Sequence, residues 1–179
     1  MIQRILMLVA TLATPVSYGF DSAASFGFGT TASYREKAKP DPAQSGSLVM
    51  FNVSQPTQLE SLTPGLLTIA EGSKDRYYRL SVGPSVKIAL GHQAFLTFAL
   101  ASFSESQEVN SRQGNINKPA HFKGSRLFLG ISKVNPSHSK GGLSYGGFSS
   151  ILSSKSSPSQ VATHRWATGV TIGYEFRGL

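Results

Sequence analysis

The stretch from Arg76 to Glu105 reads RYYRLSVGPSVKIALGHQAFLTFALASFSE, and it decides the fold. Apolar and polar residues alternate up to Ile88, the pattern pauses at LGHQ, and alternation resumes after it. A period of two predicts two β-strands joined by a short turn, with the apolar side chains on one face. That face points into the core of a soluble protein but into lipid in a membrane barrel. Its direction therefore determines the class of protein.

The same alternation recurs along the chain. It is clear in residues 24–35, 76–88, 94–102 and 165–176, and shorter in SRLFLGIS (125–132). Weaker segments cover 47–54, 63–70 and 143–152, and Pro64 weakens the second because proline lacks a donor for the strand ladder. Eight strands suffice for the smallest closed transmembrane barrel. We therefore predict an all-β, eight-stranded antiparallel transmembrane barrel over residues 20–179.

The connections between these segments alternate in length. EKAKPDPAQSG (36–46), ESQEVNSRQGNINKPAHFKG (105–124) and SSKSSPSQVATH (153–164) are long and polar, whereas LGHQ (90–93) is short. Two presumed turns, QPTQLES (55–61) and VNPSHSKGG (134–142), are longer than a tight hairpin. Outer-membrane barrels have long external loops and short periplasmic turns. The pattern indicates that the first, third, fifth and seventh connections are external.

The polar face of the strands is unlike a water-exposed surface. It consists mainly of Gly, Ser, Thr and Ala rather than Lys, Glu and Gln. Small side chains fit a narrow lumen, and opposite charges can pair across it. We therefore predict that the apolar face meets lipid and that the lumen contains a polar network of Arg35, Arg79, Lys87, Arg165 and Glu175.

Aromatic residues lie near the ends of the predicted strands, where membrane barrels carry interfacial aromatic girdles. The predicted lipid-interface aromatics are Tyr34, Tyr78, Trp166, Tyr174 and Phe176. The alternative is a secreted soluble barrel of the lipocalin or avidin type, whose apolar face surrounds a ligand. That alternative explains the alternation but leaves the small-residue composition of the opposite face unexplained.

The N-terminal residues indicate export. Arg4 precedes an apolar run from Ile5 to Ala13, and Ser17 and Gly19 fit the small positions of a cleavage site. We expect residues 1–19 to be a Sec-type signal peptide and the mature chain to reside in the outer membrane of a Gram-negative bacterium. The chain has no cysteine, which excludes disulfide, zinc-finger and thiol-redox classes.

The net charge of +8 favours anionic partners. For an exported protein these are lipopolysaccharide phosphates or sulfated polysaccharides rather than nucleic acid. A solvated basic surface without a ligand explains the charge equally well.

The residues Tyr77 to Ile88 resemble the central strand of the Ail/Lom (OmpX-like) family of outer-membrane proteins. In that family a Tyr-Tyr pair leads through an alternating strand into Gly-Pro and a basic residue. The closing segment Gly173-Tyr174-Glu175-Phe176 is similar to the family's terminal Gly-Tyr-x-Phe, although this chain continues for three residues. The resemblance implies a monomeric barrel whose loops serve host-cell adhesion, virulence or serum resistance.

The resemblance also implies where ligands bind. Partners would be host-cell matrix, heparin-like polysaccharide or complement regulators, next to outer-membrane lipid and lipopolysaccharide. The candidate ligand-binding loop residues are Lys37, Lys39, Lys74, Arg76, Arg112, Lys118 and Lys123. An alternative is a structural or envelope-stress protein without a host ligand.

Catalytic chemistry has little support in the sequence. His121 and His164 fall on the external side, but neither has an Asp or Glu beside it, and no G-x-S-x-G motif occurs. The four histidines lack metal-ligand spacing, and no phosphate-binding glycine loop precedes a helix pattern. We therefore predict no enzyme activity, metal or cofactor, with a small outer-membrane enzyme as the remaining alternative.

Overall fold

A computed structural model of the chain describes residues 23–35, 44–55, 62–73, 77–91, 93–108, 119–138, 141–155 and 162–177. These residues form eight strands: β1 (Ala23–Arg35), β2 (Gln44–Ser54), β3 (Leu62–Ser73), β4 (Tyr77–Gly91), β5 (Ala94–Glu108), β6 (Pro119–His138), β7 (Gly141–Lys155) and β8 (Ala162–Arg177). Within these ranges no helix is long and apolar enough to cross a membrane.

Each strand pairs with its neighbours in sequence, and β8 pairs antiparallel with β1 to close the barrel. The predicted eight-stranded antiparallel barrel is therefore confirmed. Following the paired residues once around the barrel from Ala23 returns to β1 at Ser33, ten residues further along. This stagger tilts the strands by about 40° from the barrel axis.

Several strands extend beyond the limits that alternation predicts. The segment 125–132 is the middle of β6, and the presumed turn 134–142 is largely the paired ends of β6 and β7. The predicted loops 105–124 and 153–164 likewise begin and end inside strands. Beyond the lipid-facing band, polar residues also pair with the neighbouring strands. Strand length there depends on the backbone hydrogen bonds and not on the pattern of side chains.

Two of the strand prolines, Pro64 and Pro84, have different consequences. Pro64 lies within β3 opposite Val86, and its carbonyl accepts from the Gln55 backbone N–H at 2.9 Å. Pro84 keeps its place opposite Leu66 on β3, but the β4–β5 ladder has no pair at residues 83 and 84. The missing donor of Pro84 therefore interrupts only one of its two ladders.

The apolar face of the strands points outward. In β4, burial alternates residue by residue from Tyr77, which is 4% exposed, and Tyr78, which is 58% exposed. Arg79 and Ser81 are fully buried while Leu80 and Val82 are exposed. An exterior of large apolar side chains around a barrel with a polar interior is typical of transmembrane barrels, and it excludes the lipocalin-like arrangement.

The barrel has two ends. The connections 36–43, 74–76, 109–118 and 156–161 leave one end, hereafter the loop end, and the connections 55–61, 92–93 and 139–140 leave the other, the turn end. Between the two ends, buried apolar side chains fill the lumen. This apolar layer comprises Leu48, Leu67, Ile69, Ala99, Phe128 and Phe148. The barrel is therefore a packed scaffold at its middle.

Candidate functional site

The sequence predicts that the ligand-binding cations lie in the connections at the loop end. Lys123 lies in β6, exposed, opposite Ser104 of β5 and Lys155 of β7. Its assignment to a loop is wrong, because β6 already begins at Pro119. The other predicted cations lie outside the described residues: Lys37, Lys39, Lys74, Arg76, Arg112 and Lys118.

The two histidines that an external active site would use are also in strands rather than loops. His121 lies in β6 opposite Ser106, and His164 lies in β8 opposite Ser153. Both side chains are exposed, and neither is hydrogen-bonded to a carboxylate of the described residues. A base without an orienting acid does not activate a serine. Nor do the described residues contain a group of three or more His, Asp or Glu that could hold a metal ion.

The lumen at the loop end contains a chain of buried ion pairs. Arg79, near the start of β4, bonds through Nε to Glu105 Oε2 at 2.8 Å and through Nη1 to Glu71. Arg165 Nη1 bonds to the second oxygen of Glu105 at 2.6 Å. Arg126 Nη1 bonds to Glu71 Oε1 at 3.0 Å. Charges therefore alternate in the order Arg126, Glu71, Arg79, Glu105 and Arg165.

Arg126, the cation deepest in the lumen, is contacted by hydroxyl groups and aromatic rings as well as by Glu71. Ser150 Oγ accepts from Arg126 Nε at 3.2 Å and Nη2 at 3.0 Å, and it donates to the Ala167 carbonyl at 3.3 Å. The Arg126 guanidinium also lies 5.9 Å from the ring centroids of Phe128 and Phe148. Such contacts are attractive within about 6 Å. The ion-pair chain therefore rests directly on the apolar layer.

A second, smaller polar region occupies the lumen at the turn end. Lys87 forms an ion pair with Glu175 across the barrel, and its Nζ lies 4.1 Å from the Phe95 ring centroid. Nearby, Ser85 Oγ donates to Asn52 Oδ1 at 3.2 Å. A cavity of about 50 Å³ lies between this pair and the apolar layer, with room for about four water molecules. The structure thus places ionic groups at both ends of the lumen.

The predicted lumen residues differ in how far the structure describes them. Arg79, Lys87, Arg165 and Glu175 lie in the interior, each less than a tenth exposed. Arg35 lies in β1 opposite Arg165, and its side chain is outside the described part of the chain.

Sequence reasoning missed three members of the ion-pair chain. Arg126, Glu71 and Glu105 are all nearly fully buried. Arg126 is on the face opposite Leu127 and Leu129, and Glu105 continues the polar face of β5. Extending the alternation through both strands would therefore have found these two residues. Glu71 lies beyond the weakly patterned segment 63–70, in the part of β3 that the pattern did not reach.

Four of the five predicted interface aromatics lie on the exterior. Tyr78, Trp166 and Phe176 are exposed by 58%, 48% and 41%. Tyr174 is partly covered by Phe176, with 4.8 Å between the ring centroids. Tyr34 lies in β1 opposite Trp166, and its side chain is not among those described. Trp166 and Tyr174 thus bracket the lipid-facing part of β8.

Comparison with solved structures shows what kind of barrel this is. Neisserial surface protein A (NspA) superposes with a TM-score of 0.57 at 11% identity, covering 89% of this chain and 97% of that one. Ail, the attachment invasion locus protein of Yersinia pestis, superposes with a TM-score of 0.53 at 14% identity, covering 89% and 99%. No family sequence model matches the chain, and neither does any curated protein sequence.

The fold and the exterior define the chain as an eight-stranded barrel of the outer-membrane type. At the level of fold, the resemblance to the Ail/OmpX-like barrels that the sequence indicated is confirmed. At these identities, the likeness establishes the architecture alone.

Proposed function

We propose that the chain is exported by its N-terminal 19 residues, resides as a monomer in the outer membrane, and binds polyanions at its loop end. The packed lumen supports this proposal, because a filled barrel offers its external surface rather than a channel for function. At this end the side chain of Lys123 is exposed, and the register places Lys155 as its cross-strand neighbour. That neighbouring pair of lysine positions is the observation that carries the proposal.

The proposed ligands are repeating anions on a neighbouring surface. Sulfated, heparin-like chains of host-cell matrix and lipopolysaccharide phosphates both present such groups, and a basic patch attracts them at long range. Adhesion through these ligands, or capture of complement regulators, is the activity that we infer. The proposed mechanism needs no catalytic residue.

Adhesion can be tested by display of the chain in a non-adherent strain. We expect display to raise attachment to heparin-coated surfaces, and we expect the triple substitution of Arg112, Lys118 and Lys123 to Ala to lower it severalfold. Salt should weaken attachment, because exposed charges are screened beyond about 10 Å at 0.1 M. Attachment is counted at equal amounts of surface-exposed protein.

Lys133→Ala is the matched control. Lys133 is also exposed on β6, but it lies ten residues from Lys123, toward the turn end. The control should attach like the unmodified protein. If display leaves attachment at the level of the empty strain, or if both substitutions lower it equally, the adhesion proposal is wrong and a structural role in the envelope takes its place.

A further inference from the structure

We propose that the loop-end mouth of the lumen binds a small inorganic monoanion, chloride under physiological conditions, beside Arg165. The ion-pair chain in that region contains three guanidinium groups and two carboxylates. Arg79 and Arg126 are 0% exposed, Glu71 and Glu105 1% and 2%, and Arg165 6%. Among the described side chains, the ion-pair chain therefore has one surplus positive charge, in a region that water barely reaches.

A surplus buried charge is costly. Moving an unpaired ion out of water costs several kcal/mol even after the protein relaxes. Neutralisation of an arginine by proton loss is ruled out as a remedy, because guanidinium groups stay protonated in proteins. An anionic counter-ion bound beside the network lowers this cost.

The hydrogen bonds place the surplus charge at Arg165. Arg126 bonds to Glu71 and to the hydroxyl groups of Ser81 and Ser150. Arg79 is shared between two carboxylates. Among the described residues, Arg165 bonds to a single carboxylate oxygen, and it lies at the loop end of the ion-pair chain, opposite the last residue of β1. The β1–β8 register also brings Arg35 opposite Arg165.

Unpartnered donors point to the same place. Arg165 Nε and Arg79 Nη2 are buried and have no hydrogen-bond partner among the described residues. Both guanidinium groups flank Glu105. Glu71 Oε2 and the hydroxyl groups of Thr31 and Tyr77 are likewise unpartnered, but these are an acceptor and two neutral hydroxyls, which water molecules can satisfy. Two cationic N–H groups then remain for an anion to accept from.

The width of the barrel restricts the anion. An eight-stranded lumen is just wide enough for side chains, so a polymer or a large organic anion is excluded. One surplus charge is balanced by one negative charge, so a monoanion fits better than sulfate. Phe122, whose ring centroid lies 5.5 Å from the Arg165 guanidinium, covers the cation on one side.

Halide exchange tests the site in the purified, folded barrel in detergent. Chloride is replaced by gluconate, which is too large for the lumen, at a constant ionic strength of about 0.15 M. We expect a thermal midpoint about 3 °C higher in chloride, the shift that a ligand at roughly ten times its Kd produces. Binding is read directly from ³⁵Cl NMR line broadening and from an anomalous bromide peak beside Arg165 in crystals.

Arg165→Met removes the surplus charge, and both the midpoint shift and the line broadening should disappear. Lys133→Met, which removes an exposed cation on the exterior of β6, should keep both. If Arg165→Met fails to fold, the bromide peak in the unmodified protein decides the question. Equal midpoints in the two salts, broadening that Lys133→Met also removes, or bromide confined to the exterior each contradict the proposal.

Discussion

At the scale of single residues, Arg79 connects the two buried carboxylates of the lumen. It is the centre of the ion-pair chain and bonds to both carboxylates, and its guanidinium lies 5.1 Å and 5.7 Å from the ring centroids of Tyr77 and Phe103. Removal of Arg79 leaves Glu71 and Glu105 each with one remaining arginine. The rest of the network has no other cation that reaches both.

We expect Arg79→Met to lower the free energy of unfolding by about 1–3 kcal/mol, because Glu71 and Glu105 each lose a buried charge-assisted hydrogen bond although each keeps one arginine. Lys123→Met, an exposed lysine near the same end, should change it by less than about 0.5 kcal/mol. Urea titration of the protein in lipid vesicles, followed by tryptophan fluorescence of Trp166, measures both. A change of less than about 1 kcal/mol for Arg79→Met would show that the ion-pair chain adds little to stability.

The sequence predicts single residues well only where they alternate in a regular strand. The interior positions of Arg79 and Lys87 can be predicted from the sequence, because inward-facing and outward-facing residues alternate in β4 from Tyr77 to Ile88. The partners of a buried charge are less predictable, since pairing across the lumen depends on the stagger between strands. The link between Arg126 and Glu71, 55 residues apart in sequence, depends on that stagger.

At the scale of strands, the close approach of β4 and β5 requires a glycine. A Cβ added to Gly83 would lie 2.1 Å from the Leu100 carbonyl oxygen and 2.4 Å from Ala101 Cα, both backbone atoms that cannot move independently of the strand. Gly83 precedes Pro84, at the point where the β4–β5 ladder is interrupted. Gly27 in β1 also faces the interior, but there an added Cβ would meet its nearest atom at 3.5 Å.

Gly83→Ala should therefore destabilise the barrel by about 1–3 kcal/mol through overpacking. Gly27→Ala should be neutral or slightly stabilising, because glycine in a strand interior costs entropy. The fraction of compact, heat-modifiable protein on gels without boiling, measured along a urea series, distinguishes the two. Equal behaviour of both variants would mean that β5 moves away from β4 at little cost.

Strand limits show why the sequence predicts elements only in part. Alternation identifies the lipid-facing middle of each strand, since only there must one face be apolar. Beyond the membrane both faces meet polar surroundings, so Pro119–Gly124 of β6 and Ser153–Lys155 of β7 read as loop although they pair with their neighbours. The backbone ladder continues without any periodic signal in the side chains.

At the scale of the whole molecule, the direction of the apolar face makes a prediction that separates a membrane barrel from a soluble one. Val170 and Tyr78 are similarly exposed, at 62% and 58%. Val170 lies four residues from both Trp166 and Tyr174, midway along the lipid-facing part of β8, whereas Tyr78 is the second residue of β4 at the loop end. In water these two surface positions are equivalent, but across a bilayer they differ in depth.

Val170→Arg should cost about 2–4 kcal/mol and Tyr78→Arg about 0–1 kcal/mol when the barrel is unfolded from lipid vesicles, because the penalty for a lipid-facing charge falls from the midplane to the interface. Loss of apolar side-chain area does not explain such a difference, since Tyr78→Arg removes the larger side chain and would then be the more costly substitution. Thicker bilayers should enlarge the penalty at Val170, because the charge then lies further from the headgroups. Equal costs at both positions would mean that the apolar exterior does not face lipid.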